Sequence, residues 1–333
     1  MSNIQSSEDA HAQVLREFLY ADIDRVRSLL AQRVGGVPEQ DSKSVSSTKK
    51  FHAGVQKWLG HDSGHTAEDS QQRTLLDALF PELEEILESE GWLRDISGIF
   101  DDSTVKDVQA LREQAREGSI VRLTANGQLF DSQHVAQVLA SMSTLGAGLG
   151  RLNRASNPHA KNAQKGKSAK SKNSEDKTLE DAVEDFDSSI FSEAVNAEQL
   201  RSFVQVSRAL FTDGLHLLLS SQKGVEWSAT ARLQQGRRYL DAEPEVLFSR
   251  YGRQEQEWTV VGTIGFFSKK PDLGKMKNMD FMAASGDVID RNKFVSGLNS
   301  VMEDIAGQGI ADAPPFPGFS IIPMAVYRTI PQA

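Results

Sequence analysis

Cysteine is absent from this 333-residue chain. Disulfides, thiol nucleophiles and Cys-ligated zinc or iron–sulfur centres are therefore excluded. Apolar runs of about 18 residues are missing too, so no segment reads as a membrane-spanning helix. The opening MSNIQSSEDAHAQ has no basic stretch followed by an apolar one, which predicts no signal peptide and a cytoplasmic protein. Positive charge is in deficit. A net charge of −9 disfavours phosphate backbones as partners of the whole chain, although a local basic patch can still contact them.

Some chemistry-bearing arrangements are present only in part. Gly146, Gly148 and Gly150 form GAGLG, but a dinucleotide loop needs a strand before it and a helix after it. Here an amphipathic helix precedes, and a polar segment follows. His61 and His65 flank Asp62 in HDSGH, where Ser63-Gly64 argues for a loop and supplies no third ligand. The Ser/Lys pairs Ser46/Lys49, Ser47/Lys50 and Ser174/Lys177 lack the apolar neighbours that would lower a lysine pKa. No metal and no cofactor is expected.

What remains is a chain with clear amphipathic order. VLREFLY (14–20) reads as a strand, and Asp22 as the cap of a helix with Ile23, Val26, Leu29 and Leu30 on one face. Gly35-Gly36 supplies its stop. Residues 37–70 are polar and predict an irregular loop, with one short helix near 51–60. Leu75, Leu76, Leu79, Leu83, Ile86 and Leu87 keep helical spacing, with Pro81 kinking or splitting the helix and Gly91 ending it. A further helix is expected over 104–116. GSIVRLTANGQLFD (118–131) predicts two short strands around an Asn126-Gly127 hairpin turn, and Asp131 or Ser132 caps the next helix.

Residues 146–180 carry six lysines between 161 and 177 and almost no apolar side chain, which predicts a disordered basic linker. It separates an α-rich half (11–145) from an α+β half (181–333). In the second half a helix over 196–211 precedes four strands, DGLHLLLSS, VEWSATARL, EPEVLFSRYG and EWTVVGTIGFFS, read as an antiparallel meander. A helix with Phe294, Leu298, Val301 and Ile305 on one face and a terminal strand IIPMAVYRTI complete the chain. The opening strand needs a partner for its backbone groups, and the terminal strand is the best match. The fold class is therefore α+β, with a mainly antiparallel sheet joining both termini.

Arg237, Arg238, Arg250 and Arg253 border these strands beside Tyr239 and Tyr251, a composition able to bind nucleotides or other anions, although charged sheet edges also serve to block aggregation. Asp22 and Asp24 follow a strand, where carboxylates can catalyse, but capping accounts for them. His134 and His216 sit inside elements and read as structural.

Tyr20, Asp22, Val26, Ser28, Leu29, Ala31 and Gln32 in REFLYADIDRVRSLLAQ resemble the opening of an uncharacterised bacterial domain family. The segments LLDALFPELEEILESEGWL, GSIVRLTANGQLFD and IIPMAVYR are similar to later parts of that family. Ala21 stands where leucine is usual. The resemblance implies a bacterial cytoplasmic protein of no established activity, with a loose association with stress or phage defence. It carries over no catalytic residue. The expected function is a non-enzymatic interaction or regulatory module with protein partners. A nucleotide or anion sensor using Arg237, Arg238, Arg250, Arg253 and Tyr251 is the alternative, and a metal-dependent hydrolase or nuclease the second.

Overall fold

The computed structural model describes residues 15–34, 79–102, 108–156, 178–185, 196–221, 227–271, 288–310 and 312–331. Gly35-Gly36, the expected helix near 51–60, His61, His65 and all three Ser/Lys pairs lie outside them.

β1 (Arg16–Ala21) leads into α1 (Ile23–Val34), whose first turn is capped by Asp22 Oδ1 accepting from Arg25 N at 3.1 Å. A helical segment, α2, covers residues 79–89 with Pro81 inside it, and Gly91 ends it at φ +74°. β2 (Leu93–Asp95) and the one-turn α3 (Ser97–Phe100) were not anticipated, because three or four residues show no period. α4 (Val108–Gln114) follows. β3 runs unbroken from Ile120 to Asp131. The expected hairpin at Asn126-Gly127 is thus corrected. Each half of β3 finds a partner on its edges, so the chain has no need to fold back. Gly127 serves close approach, since a Cβ there would lie 2.7 Å from Leu219 Cδ2.

α5 (Ser132–Ser156) is capped by Asp131, which accepts from Gln133 N and His134 N at 2.8 and 3.1 Å. It runs on through Gly146, Gly148 and Gly150, where the linker was expected to begin. Residues 178–185 carry a 3-10 turn (Leu179–Ala182), and α6 (Ala197–Leu210) is closed by a capping box of Asn196 and Gln199. β4 (Leu215–Ser220) and β5 (Ser228–Leu233) form an antiparallel pair. α7 (Pro244–Tyr251) replaces the strand expected there. Pro244 suits the first helical turn, and Leu247, Phe248 and Tyr251 bury one helical face. β6 (Gln256–Phe267), α8 (Arg291–Gly307) and β7 (Gly318–Thr329) complete the order.

β1 pairs with β7, as the apolar termini required, with Phe18 opposite Tyr327 and Tyr20 opposite Val326. The remaining pairing closes a ring, β3-β4-β5-β7-β6 and back to β3. The meander is thereby corrected: β6 leaves β5 and pairs with β3 and β7, while β5 and β7 run parallel. α7 between β5 and β6 makes the detour possible. Among the ring strands, the first pairs with the second and fourth, and the third runs parallel to the fifth. That is the connectivity of the Greek-key barrel called the OB-fold. β1 and β2 extend it at the edges of β7 and β3.

Period-two alternation fills the barrel with Leu123, Leu217, Leu219, Ala229, Ala231, Val260 and Phe319. A second cluster lies against the other face of β6 and β7, where Val26 and Leu30 of α1 and Phe80 and Leu83 of α2 meet Val261, Met324 and Tyr327. A third joins α5, α6 and the 3-10 turn through Ala136, Val183, Leu200 and Val204. Both sequence halves thus contribute strands to one barrel.

Candidate functional site

The arginines singled out by sequence occupy separate settings. Arg238 is ion-paired with Asp24 at the start of α1, and Arg250 with Asp241. Arg253 lies 3.3 Å from His134 Nε2. Arg237 is exposed. The described contacts join no two of these four arginines. Tyr251 is buried, donates to Glu17 Oε1 at 3.1 Å, and packs edge-on against Trp258. Burial pushes its hydroxyl up to about 12. Arg328, which the sequence did not flag, caps this group: its guanidinium lies 4.6 Å from the Tyr251 ring centroid and 2.5 Å from Glu17 Oε2. The Arg328 hydrogen bond holds Glu17 below the usual carboxylate range. Asp24 is engaged with Arg238, and Asp22 with its cap.

On the outer face of the barrel, β4 and β5 alternate away from the core at His216, Leu218, Thr230 and Arg232. His216 is wholly buried although it points away from the barrel interior. Its Nε2 stands 3.1 Å from Asp312 Oδ1, and Arg232 Nη1 3.6 Å from Oδ2. Thr212 donates both its backbone N–H, at 2.7 Å, and its hydroxyl to the same carboxylate. Asp312 takes φ +62°, a left-handed value that aspartate tolerates better than most residues. Phe211 lies edge-on to the imidazole at 5.5 Å. Burial lowers the His216 pKa, with Asp312 opposing and Arg232 reinforcing. The group ties the α8–β7 connector to the start of β4. Residues this far apart in sequence carry no joint signal, so only the strand order could have found it.

An open groove of about 580 Å³ runs along α5, lined by Ser141, Thr144, Leu145, Gly148, Leu149 and Leu152, with Ala182 of the 3-10 turn. Leu145 and Leu152 are more than half exposed. The lining residues recur three and four apart, the spacing by which one helix receives another. GAGLG, unsuited to a phosphate, is part of this surface: a Cβ on Gly148 would meet open space. Among the described residues, no group of three or more His, Asp or Glu side chains is placed to hold a metal ion, and no helix is long and apolar enough to cross a membrane.

No curated protein and no solved structure matches the chain. One family model does, described as a domain of unknown function, DUF6414, and it matches residues 15–327. That span starts just before β1 and ends inside β7, so the family unit contains the barrel with both terminal strands. The chain belongs to this family of unknown function.

Proposed function

We propose that the protein is a non-enzymatic interaction and regulatory module of the bacterial cytoplasm, which takes an amphipathic helix of a protein partner into the α5 groove. The observation that carries this reading is the apolar lining of that groove. Leu145, Leu149 and Leu152 face outward on one helix at helical spacing, as in helix-in-groove recognition. The barrel serves as the scaffold that fixes α5.

A photo-reactive residue at Leu145 supplies the test, with Gly148→Trp and Leu149→Asp as blocking variants. Neither variant disturbs the core, because Gly148 faces open space and Leu149 is exposed. The expected result is a single stoichiometric protein cross-link in native lysate, lost in both variants while the melting temperature is kept. A cross-link that survives both variants, or none at all, overturns the reading.

A second reading, a nucleotide or anion sensor, is favoured by the ring connectivity. Barrels of this order take oligonucleotides and oligosaccharides on the face of their second and third strands, here β4 and β5 with the exposed Arg232. Thermal melts against nucleotides and short oligonucleotides test it, with Arg232→Ala and an Arg250→Ala/Arg253→Ala pair separating the two arginine sets. A ligand at 100 times its Kd adds about 2.7 kcal/mol, and unchanged melts remove this reading.

A further inference from the structure

The connector that leads into β7 lies on the outer face of the barrel. Asp312 stands against His216 of β4 and Arg232 of β5. Pro315 O accepts from Ser228 Oγ at 3.4 Å, and Pro317 O from Ser228 N at 3.2 Å. Ser228, Thr230 and Arg232 are the outward positions of β5, so residues 312–317 follow that strand from its end back to its start. Thr230, between the two contacts, is only 7% exposed although it faces away from the core. The face on which barrels of this connectivity take their ligands is thus covered by the chain itself.

Asp312 is the part of the connector held by charge. Thr212 uses both of its carboxylate oxygens, donating its N–H to Oδ1 at 2.7 Å and its hydroxyl to Oδ2. The fit on the other side is incomplete. Among the described residues, neither ring nitrogen of the wholly buried His216 makes a well-formed hydrogen bond, although Nε2 stands 3.1 Å from Oδ1. Arg232 reaches Oδ2 only at 3.6 Å and spends Nη2 on Asp213 O at 2.8 Å. Asp131, the other carboxylate that acts on His216, is committed to the α5 cap. The backbone of Asp312 is left-handed at φ +62°, a cost that its contacts must offset.

Building on the anion-sensor reading, we infer that Thr212, His216 and Arg232 form a phosphate site, which the Asp312 carboxylate fills as an internal competitor until a phosphate-bearing ligand displaces it. A backbone N–H, a hydroxyl, an imidazole and a guanidinium are the donors that phosphate takes. The carboxylate brings two oxygens, and Thr212 engages both. A phosphate brings a third oxygen and more charge, enough to engage the His216 ring and a fork from Arg232. When Asp312 leaves, Arg232 loses its ion pair, and its side chain is already 56% exposed to an incoming anion. A tethered carboxylate competes at an effective concentration on the order of millimolar. The unaltered chain therefore binds phosphate weakly, and binding frees the connector from the β4–β5 face.

Calorimetric titration of the full chain with inorganic phosphate and with a dT oligonucleotide of about eight residues supplies the test. Asp312→Gly, which suits a positive φ, should bind about tenfold more tightly than the unaltered chain, and Arg232→Ala added to it should remove the gain. A gain shared by both probes assigns the site to the phosphate group itself. A gain confined to the oligonucleotide assigns it to a nucleic-acid backbone, and either upholds the inference. Asp312→Asn keeps the turn and drops the charge; it should move the same way by a smaller factor, and it replaces Asp312→Gly if that variant does not melt cooperatively. In the unaltered chain the Asp312 N–H, which donates to Leu210 O at 3.1 Å, should exchange faster with the probe bound, which a purely structural carboxylate would not show. Equal affinities in the unaltered chain and both Asp312 variants overturn the inference and leave the anion-sensor reading standing. Absence of binding in all three overturns both. A gain that survives Arg232→Ala overturns the inference as well, because the anion then sits elsewhere.

Discussion

Arg122 Nε lies 2.8 Å from Glu84 Oε1, a carboxylate that is only 2% exposed. The other Glu84 oxygen stands 2.5 Å from Arg16 Nη1, and Tyr327 donates its hydroxyl to Oε1 at 3.1 Å. Arg122 also forks onto Glu88, whose pKa that hydrogen bond lowers. One carboxylate from α2 thus links β1, β3 and β7. Removing a single partner leaves the others desolvated and unpaired, the costly way to alter a buried ionic group. Glu84→Gln is expected to cost about 3 kcal/mol in urea unfolding. Replacing Arg16, Glu84 and Arg122 together by methionine should cost clearly less. Equal losses for the two variants would show that packing, and not charge, holds the three strands.

Gly262 sits at the irregularity where β6 shifts register against β7. A Cβ there would meet Ile322 O at 2.5 Å and Pro323 Cα at 2.9 Å, both backbone atoms with little room to move. Gly262→Ala should therefore destabilise by about 2 kcal/mol, as overpacking does. Gly98→Ala, whose Cβ meets nothing within 4 Å, is the control and should change stability little. Urea midpoints of the two variants decide between them.

Asp131 closes β3 and opens α5 in one residue, with its carboxylate on the N–H groups of Gln133 and His134. Asp131→Ala should cost about 1 kcal/mol, the usual worth of a helix cap. Asp131→Asn keeps the acceptor and should recover most of it. Because α5 carries the groove, circular dichroism should show the lost helix content before the barrel melts.

The pairing of the terminal strands was legible because both are short apolar runs with no nearer partner. Phe18 against Tyr327 is what that pattern demanded. The helices around Val26, Leu200 and Leu298 were legible from period 3.6. EPEVLFSRYG (243–252) reads as a strand in sequence because Val246, Leu247 and Phe248 form an apolar run too short to show a period, and Pro244 at the first turn is the sign that decides for a helix. Asn126-Gly127 carried a true turn preference that two long-range pairings outweighed. Composition alone groups the arginines as one set. Asp24, Asp241 and His134, which each engage one of them, come from different parts of the chain. The same holds for Asp312 and His216, which only the closure of the ring brings within 3.1 Å.

That last contact gives the stability a pH dependence whose direction follows from burial. His216 has a folded-state pKa below the ordinary 6.5, chiefly because burial disfavours the imidazolium. Asp312 and Asp131 pull the other way, and Arg232 adds to the burial effect. His134 is lowered too, by burial and by Arg253. Between the unfolded and folded values the unfolded chain binds more protons, so stability rises with pH across that window. It is fully present above about pH 6.5, and falls as pH drops from there toward the folded values. Glu17 and Glu88 are held below 4.5 and titrate outside the window. Urea midpoints should therefore drop between about pH 7.5 and pH 5.5. His216→Asn should flatten most of that drop, and His134→Asn the remainder, with Phe248 losing the ring that stacks on it at 4.4 Å. A slope that persists in the double variant would mean that a different group titrates.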